Sequence, residues 1–288
     1  FFSVFWLLSN VEGKFVDSTV KLTEKVKLEC IYPKKAVIMQ TSWMKLNVTH
    51  KENIAVLHPI YGVHIEDKYN GRIYFENASR EDKSLSFTKS TLEDVGLYFC
   101  SIVTYPDGIW EKVIEIIQTD AFEVSAKQTH PVFAKPGRNV ALTCPHKTGD
   151  SVQQVMWERI KADQVDTIVL CNLSGKQSFG SDFKERTLVD CSDQANSMIV
   201  IQNITASDFA TYRCVATGRN TTYVKTYTVA GKTHSGEKNA GLFYSEYLTT
   251  KVHEIEHECD KKRGTRIKIP LTSDNFKHSN FRMLTVFI

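Results

Sequence analysis

The chain has 288 residues, 42 % of them apolar and 24 % charged, with a formal net charge of +3. That is room for two domains of about 100 residues each and more besides. The excess charge is confined to residues 231–288, where ten Lys/Arg face seven Asp/Glu, and the other 26 basic and 26 acidic residues cancel. A basic surface of the size that nucleic acid requires is therefore excluded.

Taken in chain order, Phe1–Leu8 (FFSVFWLL) reads as the apolar core of a secretory signal, with residues 1–12 as its remnant and cleavage near Val11–Gly13. A buried first strand is the alternative. KVKLEC (25–30) alternates as a strand, TSWMKL carries Trp43, and NIAVLHPIYGVHI (53–65) is long enough for two more strands. KVIEIIQ (112–118) alternates again. The second half repeats the order with NVALTC (139–144), QVMWERI with Trp157, and YVKTYTV (223–229). No run of about 20 apolar residues follows.

The cysteines make the repeat quantitative. Cys30 and Cys100 are 70 positions apart, as are Cys144 and Cys214, and each first cysteine is followed 13 residues later by Trp43 or Trp157. The period is 114 residues. Each second cysteine closes a matching phrase, Asp94-Val-Gly-Leu-Tyr98-Phe-Cys100 and Asp208-Phe-Ala-Thr-Tyr212-Arg-Cys214. A Tyr two residues before the second Cys, and a Trp that packs on the disulfide, are signatures of an immunoglobulin sandwich. The expected fold is all-β: two tandem immunoglobulin-like sandwiches of variable type, residues 13–120 and 121–231, followed by a poorly structured tail, 232–288. The pairs are Cys30–Cys100 and Cys144–Cys214, with Cys171–Cys191 left as a third pair inside domain 2 and Cys259 over. A disulfide closing a 70-residue loop contributes roughly 4.4 kcal/mol in the chain-entropy picture. Arg72 and Asp94 are placed to pair across the bottom of the first sandwich. Sequons at Asn47, Asn77, Asn172, Asn203 and Asn220 read as a glycoprotein surface.

Two stretches carry functional expectations. VTYPDGIW (103–110) has the chemistry of a turn, yet Tyr105 sits beside Pro106 at its tip. A stiffened, exposed aromatic is what a binding hot spot needs. The alternative is that Tyr105 folds back on its own domain. The other stretch, His253-Glu254-Ile255-Glu256-His257, matches the HExxH spacing of zinc hydrolases. A short appendage has little core to hold the further ligand and cleft such a site requires. No catalytic residue, metal or cofactor is expected, and the hydrolase stands only as a remote alternative.

Thr104-Tyr105-Pro106 resembles the T-(F/Y)-P motif of the nectin and poliovirus-receptor network of cell-surface proteins. Ala55-VLHPIY-Gly62 fits that family's A-x6-G motif. Ile38-Met39-Gln40 stands where the family has (V/I)-(S/T)-Q, with Met39 departing and Gln40 retained. ECIYP (29–33), the stretch 104–123, KPGRNVALTC (135–144), VMWERI (155–160) and the Cys171/Cys191 segment are similar to its activating lymphocyte adhesion receptors, and the likeness spans about residues 12–233. It implies that Tyr105 acts as a key, with Thr104 and Pro106 holding its loop. The key enters a lock on a partner, while Gln40, Ala55 and Gly62 shape the complementary surface here. The implied partners are poliovirus-receptor and nectin ectodomains on opposing cells. The implied role is promotion of lymphocyte adhesion, signalling and cytotoxicity at the plasma membrane of natural killer and T cells. Homo-association is left open and is not predicted. As written the chain has no anchor, so a secreted decoy form is the alternative.

Overall fold

A computed structural model of the protein describes residues 15–48, 50–76, 78–122, 129–145, 152–172, 174–191, 196–219 and 221–231. The described part is almost entirely β-structure. Domain 1 contains β1 (Ser18–Lys21), β2 (Lys27–Leu28), β3 (Val37–Leu46), β4 (Lys51–His58), β5 (Gly62–Ile65), β6 (Ile73–Phe75), β7 (Leu85–Phe87), β8 (Gly96–Tyr105) and β9 (Gly108–Ile117). Domain 2 contains β10 (Thr129–Ala134), β11 (Val140–Pro145), β12 (Val152–Ile160), β13 (Gln164–Asn172), β14 (Gln177–Phe179), β15 (Thr187–Asp190), β16 (Asn196–Ile201), β17 (Thr211–Gly218) and β18 (Thr222–Gly231).

Each domain stacks a large sheet on a three-stranded one. The small sheets run β2-β7-β6 and β11-β16-β15. Leu28, Trp43, Tyr98, Cys100 and Ile114 are buried between the layers of domain 1, and Leu142, Trp157, Tyr212, Cys214 and Ile199 between those of domain 2. Disulfides Cys30–Cys100 and Cys144–Cys214 join the layers with Cα separations of 6.5 and 5.9 Å, and Cys171–Cys191 lies within domain 2.

The 114-residue offset extends below the cysteines. The Tyr98 hydroxyl donates to the Asp94 carbonyl at 2.7 Å and that of Tyr212 to the Asp208 carbonyl at 2.8 Å. Burial pushes both phenol groups up, so they remain neutral donors. Thr91 with Asp94, and Thr205 with Asp208, form reciprocal capping boxes on one-turn 3-10 helices. Arg72 bonds both Asp94 oxygens, at 2.8 and 3.1 Å. Arg186, 114 residues on, does the same to Asp208 at 2.6 and 2.9 Å.

The two large sheets are joined. β1 pairs parallel with β9 of its own domain and antiparallel with β13 of domain 2, where Ser18 faces Asp166 and Val20 faces Gln164. The result is one 12-stranded sheet, β10-β18-β17-β12-β13-β1-β9-β8-β3-β4-β5, with β14 on the other half of the β13 edge. Open edges that would otherwise present unpaired backbone groups are thereby satisfied.

Polar side chains tie the seam. The Asp17 carboxylate accepts the backbone N–H groups of Val113 at 2.6 Å and Ser181 at 2.7 Å. Ser18 Oγ donates to Asp166 at 2.8 Å, and the fully buried Lys112 reaches Asp182 at 2.5 Å. Lys161 meets Glu29 at 3.3 Å. Burial raises Asp17 to about 6 against the pull of those N–H groups and of Lys112. Burial also pushes on Asp166, but Arg159, Lys112 and Lys161 outweigh it and hold that carboxyl at about 2.

Candidate functional site

β8 and β9 form a hairpin whose tip is Tyr105-Pro106-Asp107-Gly108. Alternation along β8 sends Tyr98, Cys100, Ile102 and Thr104 inward, and leaves Ser101, Val103 and Tyr105 on the outer face. The tip is held from three sides. The buried Thr104 hydroxyl donates to the Gly108 carbonyl at 2.9 Å. The Tyr32 hydroxyl donates to Asp107 at 2.9 Å, and the Tyr32 ring meets Trp110 edge-on at 5.9 Å. The Tyr105–Pro106 peptide is cis, and Gly108 adopts a φ of +86° that closes the hairpin. Tyr105 is 70 % exposed. It stands away from its domain and does not fold back on it.

Register brings neighbours into one surface. Val37 lies opposite Tyr105, and Gln40 opposite Val103, which in turn faces Ile109. Gln40 Nε2 donates to Ser42 Oγ at 3.0 Å along the same face. Val37, Met39, Val63 and Ile109 are exposed. Met39 sits where the register shifts between Ile38 and Gln40, so a bulge turns it outward.

Strands β4 and β5 meet in a tight turn with His58 opposite Gly62. Gly62 has a φ of +78°, and a Cβ there would meet nothing within 4 Å, so backbone conformation and not lack of room requires glycine. Ala55, expected to shape the complementary surface, faces inward. It lies opposite Trp43, is fully buried, and belongs to the core. It shapes the surface only from beneath, through the close approach of β3, β4 and β5. Sequence reasoning passed over Ile60 and Tyr61, 81 % and 86 % exposed at the tip of that turn. The available signal was two large apolar residues in a Pro-x-x-Gly turn, where small polar ones are usual.

Asn47, Asn172 and Asn203 are exposed, while Asn77 and Asn220 lie outside the described residues. So do residues 1–12, the tail 232–288, the His253–His257 pentapeptide and Cys259. Among the described residues, no group of three or more His, Cys, Asp or Glu side chains is placed to hold a metal ion, and no helix is long and apolar enough to cross a membrane.

The sequence pattern of the immunoglobulin V-set domain matches twice, over residues 16–118 and 127–230. The chain is 36 % identical over 218 residues to the CD226 antigen of Macaca mulatta, covering 74 % of this chain and 65 % of that protein. It thus spans a little under two-thirds of that relative's length. It is 27 % identical over 135 residues to Nectin 1b of Danio rerio, covering 42 % of this chain and 22 % of that one. Among solved structures, murine CRIg matches 35 % of this chain and 89 % of its own at 26 % identity, with a TM-score of 0.32.

Proposed function

Because the chain belongs to the immunoglobulin V-set family, we propose that it is the ectodomain of a cell-surface adhesion receptor. Its first domain binds nectin-type proteins on opposing cells, and the relatedness to CD226 antigen and Nectin 1b supports that class of partner. In this reading the poliovirus receptor and a nectin are the ligands, and engagement promotes lymphocyte adhesion, signalling and cytotoxicity. Residues 13–120 carry recognition, and residues 121–231 brace them. Glycans on Asn47, Asn77, Asn172, Asn203 and Asn220 cover surface that the partner leaves free.

The observation that carries the reading is Tyr105, exposed at a hairpin tip fixed by Thr104, Tyr32 and Asp107. A rigid aromatic loses little side-chain entropy when it enters a pocket. Around it Val37, Met39 and Ile109 supply apolar area, and Gln40 supplies an amide whose Nε2 donates to Ser42. A standard interface of about 1,600 Å² with a central aromatic anchor is the expected geometry.

Surface plasmon resonance over immobilised poliovirus-receptor and nectin ectodomains tests this. Saturable binding by the wild-type protein, lost in Tyr105→Ala with unchanged melting, is the expected result. No binding by a folded, glycosylated protein would remove the reading.

A further inference from the structure

The turn between β4 and β5 is built around a histidine. His58 Nδ1 accepts the backbone N–H of Ile60 at 3.1 Å and that of Tyr61 at 3.3 Å. The His58 ring also lies against the Tyr61 ring, with centroids 4.7 Å apart and planes tilted by 34°. A ring nitrogen that accepts two N–H bonds must be unprotonated, so the neutral Nε2–H tautomer is the one that builds this turn. One imidazole therefore fixes both the backbone of the tip and the direction of its aromatic ring.

Domain 2 solves the same problem differently. Asn172 stands 114 residues after His58, and its Oδ1 accepts the N–H of Ser174 at 3.1 Å and of Lys176 at 3.0 Å. A side-chain acceptor reaching two residues forward is thus common to both domains. Only domain 1 uses one whose acceptor is lost on protonation, and the two residues whose N–H groups it caps, Ile60 and Tyr61, are large, where those of domain 2 are Ser174 and Lys176.

We propose that His58 is a positioning residue for recognition: neutral, it holds Ile60 and Tyr61 in the shape that meets the partner, and protonated, it releases them, so binding weakens in acid. This rests on the function proposed above and extends it to a second contact and its control. Histidine changes charge between about pH 5 and 8. In the charged ring, Nδ1–H would point at two N–H donors, and both caps would be lost. The titratable residues nearest in register are Tyr61 on the turn and, on β5, His64, opposite Val56 and 3.6 Å from Glu66. The facing stretch of β3, Val37–Ser42, carries no ionisable group.

The test is binding of the full chain to immobilised poliovirus-receptor ectodomain at about pH 7.4 and about pH 5.5. The wild-type protein should lose about five- to tenfold in affinity between them, the worth of one or two capping bonds. His58→Ala should show a loss of that size already at neutral pH. His58→Asn keeps an acceptor that does not titrate but lacks the ring that lies against Tyr61, so whatever affinity it has at neutral pH should stay level in acid. His64→Gln should retain the wild-type drop. A wild-type affinity that does not change with pH, or a drop that persists in His58→Asn, would overturn the inference. A second measurement needs no partner: nitrogen-15 shifts of the His58 ring should report the Nε2–H tautomer at neutral pH, and an Nδ1–H tautomer would overturn the inference even if the receptor binds as proposed. Absence of wild-type binding at both pH values would overturn the proposed function, and the role of His58 in recognition with it.

Discussion

Domains 1 and 2 share a scaffold, residue for residue at an offset of 114, and diverge where their sheets end. Trp, Tyr, Cys, Arg and Asp repeat in place, and so do the capping boxes. At the hairpin tips the correspondence turns into contrast. Tyr105 corresponds to Arg219 and Pro106 to Asn220, the first residue of a sequon. Ile60 and Tyr61 correspond to Ser174 and Gly175, and His58 corresponds to Asn172, also in a sequon. Both tips that domain 1 offers as exposed apolar surface carry a sequon in domain 2. The difference teaches that one fold can be kept nearly constant while a few tip residues give its two copies different surfaces.

The seam reinforces the division of labour. Domain 2 lends half of the β13 edge to β1, and its buried ion network lies against that strand. Arg159 connects Asp166 with Asp208, at 2.7 and 3.1 Å, whereas Lys45 stands at the matching position of domain 1.

Perturbations of the two domains should therefore differ in kind. The largest effect is expected from Asp166→Ala, which removes two of the bonds of the buried Arg159, leaving it Asp208, and removes the acceptor of Ser18. Thermal unfolding should register a loss of about 3–5 kcal/mol. Arg72→Ala in domain 1, where the guanidinium reaches solvent, should cost far less. Equal losses would mean that the two networks are equivalent after all.

Next comes Tyr105→Ala, which should weaken partner binding by at least about 2 kcal/mol with no change in melting. Arg219→Ala, its counterpart, should bind like wild type. An Arg219 effect as large as that of Tyr105 would place recognition on both domains.

A third effect is one of pH. Asp17 is raised to about 6 by burial, so it is ionised at neutral pH at a cost that protonation relieves. Its contribution to stability is full below the ordinary carboxylate range, near 4, and is lost as pH rises through 6. Asp166 runs the other way: with its carboxyl at about 2, its contribution is present above about 4 and lost as pH falls towards 2. The junction should gain on the order of 2 kcal/mol between pH 7.5 and 4.5. Asp17→Asn should flatten that gain in melting curves across this range, and an unaltered gain would assign it to other groups.

The smallest effect is Ile60→Ser, which should reduce affinity about three- to fivefold by removing one exposed apolar contact. Val224→Ser, an exposed apolar position of domain 2, should change nothing. A loss in the Val224 variant would extend the contact surface to the second domain.

Much of this organisation is legible in the sequence. The cysteine and tryptophan offsets point to two variable-type sandwiches because disulfide, Trp and tyrosine corner are set by local geometry. The exposed Tyr105 follows from turn chemistry. The inward face of Ala55 does not, because which side of β4 meets the core depends on register with β3, including the shift between Trp43 and Met44. The seam was equally hidden. β1 is four residues long, STVK, and its antiparallel partner lies 148 positions away at Ser18–Asp166. Lys112, in the middle of an alternating strand, reads as solvent-facing until Asp182 of the other domain covers it. The His58 cap depends on the conformation of a turn, which residue types narrow but do not fix.

Hydrogen–deuterium exchange of the full chain, with and without saturating poliovirus-receptor ectodomain, tests most directly the claim that domain 1 alone recognises the partner. Protection should appear over residues 37–42, 58–63 and 103–110, with the corresponding stretch 217–224 of domain 2 unchanged. Protection over 217–224, or on the small sheet of domain 1, with residues 103–110 exchanging as in the free protein, would contradict it.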